Sequence, residues 1–249
     1  MGLAWAALFA SAANGQAPAE QNLDRVLHFT RAATEQEFQE LATVIRAVGE
    51  IRRISVDTAE RSLALSGTPA QIELAEWLFN TLEQPGRAPA MREYRPAGAG
   101  DTAVRVFLLA PARTARELQE VATVVRSIGD IRWLFTYNPV KAVTLRGTSD
   151  QMALAEWLIH ALESPDLREF RMPGNADDVV RVFYLAHAET PQRLQEIAVL
   201  VRKTIGIRRL FLYTAPRALA VRGTAEQMLS AERLIQEHDK PGASKDARE

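Results

Sequence analysis

The side chains that most often carry catalysis or bind metal ions are scattered in this sequence. The four histidines, His28, His160, His187 and His238, stand singly, and none belongs to an H-x-x-x-H or similar pair of metal ligands. The 249-residue chain contains no cysteine, which excludes a thiolate nucleophile, a cysteine metal site and a disulfide framework. We therefore predict no metal site and no cofactor.

Neighbouring carboxylates are the second pattern that could support acid–base chemistry. Glu35 with Glu37, and Glu226 with Glu232, form such pairs. We expect them at helix starts and on outer helix faces, where acids favour the helix dipole. The chain contains no G-x-S-x-G, P-loop or G-x-G-x-x-G motif. The sequence thus predicts a protein that is not an enzyme and has no catalytic residue.

Tryptophan and arginine side chains offer a different chemistry, which is binding to another protein. The candidate interaction residues are Trp77, Trp157, Arg52, Arg53, Arg132, Trp133, Arg208 and Arg209. Trp77 and Trp157 hold equivalent positions in an internal repeat, where the third copy has Arg233. Two structural alternatives stay open: the tryptophans cover the edge of a core, and the arginines solvate a strand edge.

These residues are positioned by a sequence that is written three times. Residues 181–241 align without gaps with residues 105–165, 76 positions earlier, and with residues 25–85, a further 80 positions earlier. The second and third copies are identical at 29 of 61 positions. A unit of this length buries only about 60% of its unfolded surface, so we expect it to stack on a neighbour or on another subunit.

Each copy reads as β-α-β-β-α, which predicts an α+β fold of three tandem small domains. Opening strands are predicted at residues 26–29, 106–109 and 182–185. Thr34 with Glu37, and Thr114 with Glu117, have capping-box spacing at the start of the first helix. In the third copy Arg193 breaks the box.

Glycines mark the expected ends of these first helices. Gly49 and Gly129 stand where a left-handed residue is easily accommodated. The third copy has its glycine one position later, at Gly206, so we expect that turn to differ.

The linkers between the copies are repeated as well. Residues 92–95 read Arg-Glu-Tyr-Arg, and residues 168–171 read Arg-Glu-Phe-Arg. We interpret each as an extra strand that forms a hairpin with the following opening strand. The predicted domains are therefore a βαββα repeat at 25–85, (β)βαββα repeats at 92–165 and 168–241, and a disordered tail at 242–249.

The first residues predict export. Residues 3–13 form an uncharged apolar run that is too short to span a bilayer, and Gly15-Gln16-Ala17 suits signal-peptidase cleavage. We predict a signal peptide at residues 1–17, a periplasmic or secreted protein, and no transmembrane segment in the mature chain.

Charge changes along the repeats although the whole chain has a formal net charge of only −1. The net charge is −3 over residues 25–85, +1 over 105–165 and +4 over 181–241. Drift between duplicated units explains the gradient, and so does head-to-tail attraction between an acidic and a basic unit.

The β-α-β-β-α order is also that of KH-type modules, which bind single-stranded RNA through a G-x-x-G loop. The corresponding positions begin at Gly49, Gly129 and Gly206, and each lacks the second glycine. Two of the three copies carry an acid there, Glu50 or Asp130. We therefore expect no nucleic-acid binding.

A strand such as residues 181–186, a Thr-capped helix, a hairpin, an Arg-Gly-Thr turn and an Ala-Glu-rich helix follow one another in each copy. This order resembles the short N-terminal periplasmic domains of secretins and TonB-dependent outer-membrane proteins, the ring-building motif. The resemblance covers residues 25–85, 105–165 and 181–241, and implies lateral packing between subunits and contacts across the periplasm. No β-barrel or pore segment follows in this sequence, so the chain is not expected to be the channel itself.

We therefore expect a non-enzymatic scaffold or assembly module of an envelope complex, related to secretion or pilus systems. Its partners would be proteins, either copies of itself in a homo-oligomer or components of that complex. The alternative is a module that binds a cell-wall glycan or peptide in grooves between the repeats.

Overall fold

The computed structural model of the protein describes residues 22–84, 91–109, 114–164 and 169–241. Within those ranges it contains six α-helices and three small antiparallel sheets. This confirms the predicted mixture of α and β structure. The predicted signal peptide (1–17) and tail (242–249) lie outside the described residues.

The elements follow the three repeats. Repeat 1 contains β1 (Leu23–His28), α1 (Glu35–Val48), β2 (Arg53–Asp57), β3 (Ser62–Gly67) and α2 (Pro69–Glu83). Repeat 2 contains β4 (Met91–Tyr94), β5 (Thr102–Leu108), α3 (Ala115–Gly129), β6 (Trp133–Tyr137), β7 (Ala142–Thr148) and α4 (Ser149–Ala161). Repeat 3 contains β8 (Glu169–Arg171), β9 (Val179–Tyr184), α5 (Pro191–Ile205), β10 (Arg209–Tyr213), β11 (Ala218–Gly223) and α6 (Ala225–His238).

Each repeat forms its own sheet. The strand orders are β1-β3-β2, β4-β5-β7-β6 and β8-β9-β11-β10. Strands β4 and β8 come from the repeated linkers and pair with β5 and β9. The opening strands β1, β5 and β9 begin three or four residues before the predicted positions. The apolar pattern missed these residues because the strands continue through charged positions such as Asp24 and Arg25.

The helix starts follow the predicted caps. A threonine side chain accepts a hydrogen bond from the backbone N–H three residues later in all six helices, which orients each first turn. The reciprocal capping box is complete in every helix except α5, where Arg193 stands at the third helical position. The predictions for Thr34, Thr114 and Arg193 are confirmed.

The predicted left-handed glycines are wrong by one position. Gly49 has a right-handed φ of −81°, and Gly129 is the last residue of α3. The left-handed residues are Glu50 and Asp130, with φ of 54° and 56°, and Gly206 at the equivalent position, with φ of 72°. The turn therefore has the same handedness in all three repeats, and only its residue type changes.

Both glycines are closely packed, Gly49 against backbone and Gly129 against a side chain. A Cβ on Gly49 would lie 2.7 Å from the carbonyl oxygen of Ile45, and one on Gly129 would lie 3.0 Å from Cδ1 of Ile131. Their lack of a side chain allows the turn to fold against the helix.

The second and third sheets are buried on both faces, and the two faces contact different repeats. On β5, Phe107 belongs to the core of repeat 2, whereas Val106 belongs to the core of repeat 1. On β9, Val179 belongs to the core of repeat 3 and Val180 to that of repeat 2. Successive strand residues point to opposite faces, so each sheet lies between two helix pairs.

The result is a stack of alternating layers: sheet, helix pair, sheet, helix pair, sheet, helix pair. Helix α1 packs on β6 and β7 of repeat 2, and α3 packs on β10 and β11 of repeat 3. The sheet of repeat 2 thus covers the helices of repeat 1, and the sheet of repeat 3 covers those of repeat 2. This sharing of apolar surface is expected for units too small to be stable alone. Among the described residues, none of the helices combines the length and apolar character needed to span a membrane.

Candidate interaction surface

Two equivalent arginines join each helix pair to the sheet stacked on it. Arg146 on β7 donates a hydrogen bond from Nη1 to the carbonyl oxygen of Val48 at 3.1 Å. Arg222 on β11 donates from Nη1 to the carbonyl oxygen of Ile128 at 2.8 Å. These carbonyls belong to the last turns of α1 and α3, where a cation satisfies a free acceptor and favours the helix dipole. The same polar contact therefore fixes both interfaces.

A second contact recurs in the N-terminal half of these helices. The carboxylate of Glu40 accepts from the backbone N–H of Asn138 at 3.2 Å. The carboxylate of Glu120 accepts from the backbone N–H of Thr214 at 2.8 Å. Two polar contacts at matched positions set the same relation between repeats 1 and 2 as between repeats 2 and 3.

Acid–arginine pairs cross both interfaces beside the turn that follows each first helix. Glu50 pairs with Arg146 at 3.1 Å, and Asp130 pairs with Arg209 at 2.9 Å. In both pairs the acid belongs to the earlier repeat and the arginine to the later one. This agrees with the net charge of the repeats, which becomes more positive along the sequence.

Arg222 also forms a bidentate pair with Asp178, at 2.8 and 2.6 Å. The hydrogen bonds from Arg222 hold the pKa of the Asp178 carboxyl below its usual range, and the same pairing raises the pKa of Arg222. The side chains are only 26% and 13% exposed, so this ion pair is largely shielded from solvent.

The predicted arginines lie in the same turns. Arg52, Arg132 and Arg208 are equivalent and all exposed, and each stands just before an edge strand, β2, β6 or β10. The guanidinium of Arg132 lies 4.9 Å from the ring centroid of Trp133, which is half-buried. Exposed arginine beside a partly covered aromatic ring is typical of protein-binding surfaces.

The stack brings these turns together on one side. Arg146 is opposite Trp133 in the sheet register and also contacts Glu50, which places the turn of repeat 1 beside the start of β6. The pair between Asp130 and Arg209 does the same for repeats 2 and 3. We call this surface the arginine side, and it consists of Arg52, Arg53, Arg132, Trp133, Arg208 and Arg209.

The two predicted tryptophan anchors lie between repeats. Trp77 on α2 packs on Tyr94 of β4, with ring centroids 5.4 Å apart, and Trp157 on α4 packs on Phe170 of β8 at 5.6 Å. Both indoles are half-buried. They fasten each second helix to the extra strand of the following repeat, and their contact with a separate protein stays a prediction.

Two ionic triads, each centred on a largely buried arginine, are features that the sequence analysis missed. Arg105 on β5 lies between Glu93 of β4 and Glu156 of α4, the latter at 2.8 Å. The equivalent side chains in repeat 3 are Arg181, Glu169 and Glu232. The expectation that Glu232 lies on an outer face is thus wrong, because it faces the sheet and pairs with Arg181.

The triads attach the extra strands. Hydrogen bonds from Arg105 lower the pKa of Glu93, and those from Arg181 lower the pKa of Glu169. The signal in the sequence was the constant 12-residue spacing from the linker glutamate to the strand arginine in both repeats.

A tyrosine is buried at the first interface without a hydrogen bond. Tyr137 is fully buried, and its hydroxyl has no partner among the described residues. Burial and the nearby carboxylate of Glu83 raise its pKa, so the phenol stays neutral. Its ring contributes packing to the contact between repeats 1 and 2.

A cavity in repeat 3 has a volume of about 560 Å³. It lies between β8, β9 and α6, and its lining includes His187 and Asp239. Asp239 accepts hydrogen bonds from the backbone N–H groups of Ala186 and His187, at 2.7 and 2.9 Å. The other histidines stand apart from it, and no group of three His, Asp or Glu side chains in the described part of the chain is placed to hold a metal ion.

Comparisons with known proteins gave structural likenesses only. No protein-family model matches the chain, and no curated protein sequence matches it. Among solved structures, Aeromonas hydrophila ExeD is 15% identical with a TM-score of 0.22 over 89% of this chain and 42% of its own. The N-terminal domain of the secretin XcpQ from Pseudomonas aeruginosa is 12% identical with a TM-score of 0.29, over 88% of this chain and all of its own.

The secretin GspD in its complex with the pilotin AspS from enterotoxigenic E. coli is 16% identical, with a TM-score of 0.23. It is covered over 38% of its length, so this chain spans about two fifths of the first two structures it matches. At these scores the superpositions are loose, so the candidate surfaces described above are based only on contacts within this chain.

Proposed function

We propose that the protein is a non-enzymatic scaffold or assembly module of an envelope complex, acting in the periplasm or as a secreted protein through protein–protein contacts. In this proposal residues 25–85, 92–165 and 168–241 are three tandem ring-building-type modules. The observation that carries it is the arginine side, which repeats one exposed motif in three successive layers.

The repeated arginines favour a role in binding because several of them are not used in ion pairs in the part of the chain that the structure describes. Within the described residues, Arg52, Arg53, Arg132 and Arg208 form no ion pair, whereas Arg146 and Arg222 are committed to the interfaces. Guanidinium groups without an ion pair can form bidentate hydrogen bonds with the carboxylates of a partner, and the stack fixes the spacing of the strands that carry them. The partner surface would therefore be acidic and would match the spacing of the layers.

The partner is expected to bind the side of the stack and not its ends. At the position of buried Tyr137 the first sheet has exposed Asp57, and at that of Arg146 it has Ser66. At the position of buried Ile128 the last helix pair has exposed Thr204. Polar outer faces are characteristic of the terminal units of repeat proteins.

A photo-crosslinking side chain at position 208 of the full chain, in cells that make the protein, tests this function. Position 217 is the matched control, since Arg217 is also exposed and lies in the turn between β10 and β11, away from position 208. We expect adducts from position 208 that disappear with Arg132→Glu. The mass of the adduct distinguishes a second 27.6-kDa copy from another envelope protein. Equal adducts from positions 208 and 217, or none from 52, 132 and 208, would refute the proposal.

A second candidate function is binding of a cell-wall glycan or peptide in the cavity of repeat 3. Its volume of about 560 Å³ lies in the range of ligand sites, and Phe183 and Tyr184 contribute to its lining. Co-sedimentation with peptidoglycan sacculi tests it, with Gln236→Arg at the cavity wall as the variant. Binding that is absent, or that Gln236→Arg leaves unchanged, contradicts this candidate.

A further inference from the structure

Within the described residues, the first strand of the stack has a free edge where the other two repeats have a strand. In repeats 2 and 3, the edges of β5 and β9 are covered by β4 and β8. In repeat 1, β1 pairs only with β3 within the described residues. The sheet position beside the opening strand is thus occupied in repeats 2 and 3 and, among the described residues, is unoccupied in repeat 1.

The two covering strands share one chemical feature. Glu93 lies opposite Arg105 in the register, and Glu169 lies opposite Arg181. Each glutamate adds a second carboxylate to an arginine already held by its own helix. The arginine side chains are consequently only 14% and 18% exposed. Strand pairing and charge pairing occur together at both places.

Repeat 1 contains half of this arrangement. Arg25 is the residue equivalent to Arg105, and it pairs with Glu76 of α2. Its side chain is 55% exposed, because no second carboxylate of the described residues reaches it. Leu23, on the same face of β1 as Arg25, is 46% exposed although it is large and apolar. The backbone, the cation and the apolar surface of β1 are all incompletely covered.

An inward-facing charge can simply protect a strand edge from aggregation. That explanation does not account for the equivalent arginines, which are buried beneath an added strand. The residues that precede β1 in the sequence also offer no acid at the position that corresponds to Glu93 and Glu169. A strand at the same 12-residue spacing would place Ala13 opposite Arg25.

We propose that the free edge of β1 binds an extended segment of a partner protein. The segment adds as an antiparallel strand beside β1 and places a glutamate or aspartate opposite Arg25. Main-chain hydrogen bonds supply affinity in this mode of recognition, and the acid facing Arg25 supplies specificity. The inference rests on the proposed binding role but concerns a different surface from the arginine side.

A peptide copied from the chain itself is the appropriate probe. The labelled heptapeptide Met-Arg-Glu-Tyr-Arg-Pro-Ala, residues 91–97, is titrated into the full chain and followed by fluorescence anisotropy. We expect binding that Arg25→Glu weakens by on the order of tenfold or more, because a charge-assisted hydrogen bond is lost and like charges face each other. A peptide with lysine in place of its glutamate should bind the Arg25→Glu protein better than the original peptide does.

Amide hydrogen exchange locates the bound peptide. We expect slower exchange at residues 23–28 and no change in β5, where the peptide would have to displace β4. Equal affinity for the wild-type and Arg25→Glu proteins, or protection of β5 instead of β1, would overturn the inference. Binding that appears only after deletion of residues 1–21 would also overturn it, because the edge would then belong to the chain's own leading residues.

Two controls keep these outcomes interpretable. A peptide N-methylated along one backbone edge keeps the glutamate but cannot add as a strand, so it should not bind. Arg25→Gln, tested for an unchanged thermal unfolding midpoint, replaces Arg25→Glu if the latter fails to fold. Failure of the peptide while crosslinks persist at position 208 would remove the β1 edge and leave the proposed scaffold function standing.

Discussion

Arginines at equivalent positions of the three repeats differ in burial, and the burial of each determines how much it contributes to stability. The side chains of Arg105 and Arg181 are 14% and 18% exposed and lie between two carboxylates, whereas that of Arg25 is 55% exposed and has one. Exposed ion pairs contribute little to stability, while removal of one member from a buried group leaves uncompensated charge. A single sequence position therefore has a structural role in two repeats and is available for binding in the first.

Replacing these arginines one at a time tests the distinction. We expect Arg105→Ala to lower the free energy of unfolding by about 2 kcal/mol, because Glu156 loses its partner and the partly buried Glu93 keeps only its pair with the exposed Arg95. Arg25→Ala should cost less than about 1 kcal/mol, since its pair is exposed. Urea unfolding of the two variants beside the wild type measures both values. Equal losses would contradict the account of the triads.

The depressed pKa values of Glu93, Glu169 and Asp178 predict how stability depends on pH. A carboxyl with a lower pKa in the folded state stabilises the protein fully above its unfolded pKa of about 4. That contribution is lost as the pH falls through the lower folded value. We expect a urea midpoint that is nearly constant from about pH 7 to 5 and then decreases below about pH 4.

Asp178→Asn isolates one of these groups. The variant should be less stable than the wild type at neutral pH, because Arg222 loses a charged partner. The difference should shrink as the solution is acidified, since the wild-type carboxyl then becomes protonated. Parallel stability curves for the two proteins would show that the ion pair is not the source of the acid sensitivity.

At the scale of elements, the sheets are fastened to the preceding helices by their arginines. Arg222→Ala removes a hydrogen bond to the end of α3 and both bonds to Asp178. We expect a loss of about 2–4 kcal/mol in the free energy of unfolding. Arg53→Ala is the control, because Arg53 is an exposed arginine of the uncovered first sheet, and it should change stability by less than about 0.5 kcal/mol.

The helices could be predicted from the sequence because their signals are local. Thr34 and Glu37 interact within one turn, so three residues of spacing are enough to locate the start of α1. The turn after α1 was misassigned because Glu50, and not the neighbouring glycine, adopts the left-handed conformation. Glu50 also pairs with Arg146 of the next repeat. A sequence pattern within one repeat cannot predict a contact between two repeats.

The stacking of the repeats into layers could not be predicted from the sequence of each repeat taken alone. Val104 and Val106 alternate with Ala103 and Phe107 on β5, which makes a nearly continuous apolar strand. Such a run indicates burial on both faces but does not say which element covers each face. The candidate interaction residues could be proposed one by one from the sequence, but their proximity on the arginine side depends on the stacking of the repeats.

For the whole molecule, the three repeats form a stack with dissimilar ends. Interior interfaces contain Tyr137 and Arg146, or their equivalents in repeat 3, but the outer sheet has Asp57 and Ser66 at these positions. Substitution of interface residues by polar ones lets a stack end without exposing a large apolar face.

Restoring the interior residues at both ends should convert the protein into a self-associating one. We expect the combined variant Asp57→Tyr, Ser66→Arg, Lys203→Ser and Thr204→Ile to associate end to end, because its outer faces then match the interior interfaces. Light scattering over a range of protein concentrations measures this. The wild type at equal concentration is the control, and an average mass that does not rise in the variant would contradict the assignment of the ends.

The stack of shared layers underlies every proposal made for this protein, and hydrogen exchange tests it most directly. Val106→Ala and Val143→Ala remove the same volume from opposite faces of the second sheet, since Val106 faces repeat 1 and Val143 faces repeat 2. We expect Val106→Ala to accelerate amide exchange in α1 by about tenfold relative to Val143→Ala, through loss of packing between repeats. If both substitutions leave exchange in α1 unchanged, the repeats do not share a core and the layered account is wrong.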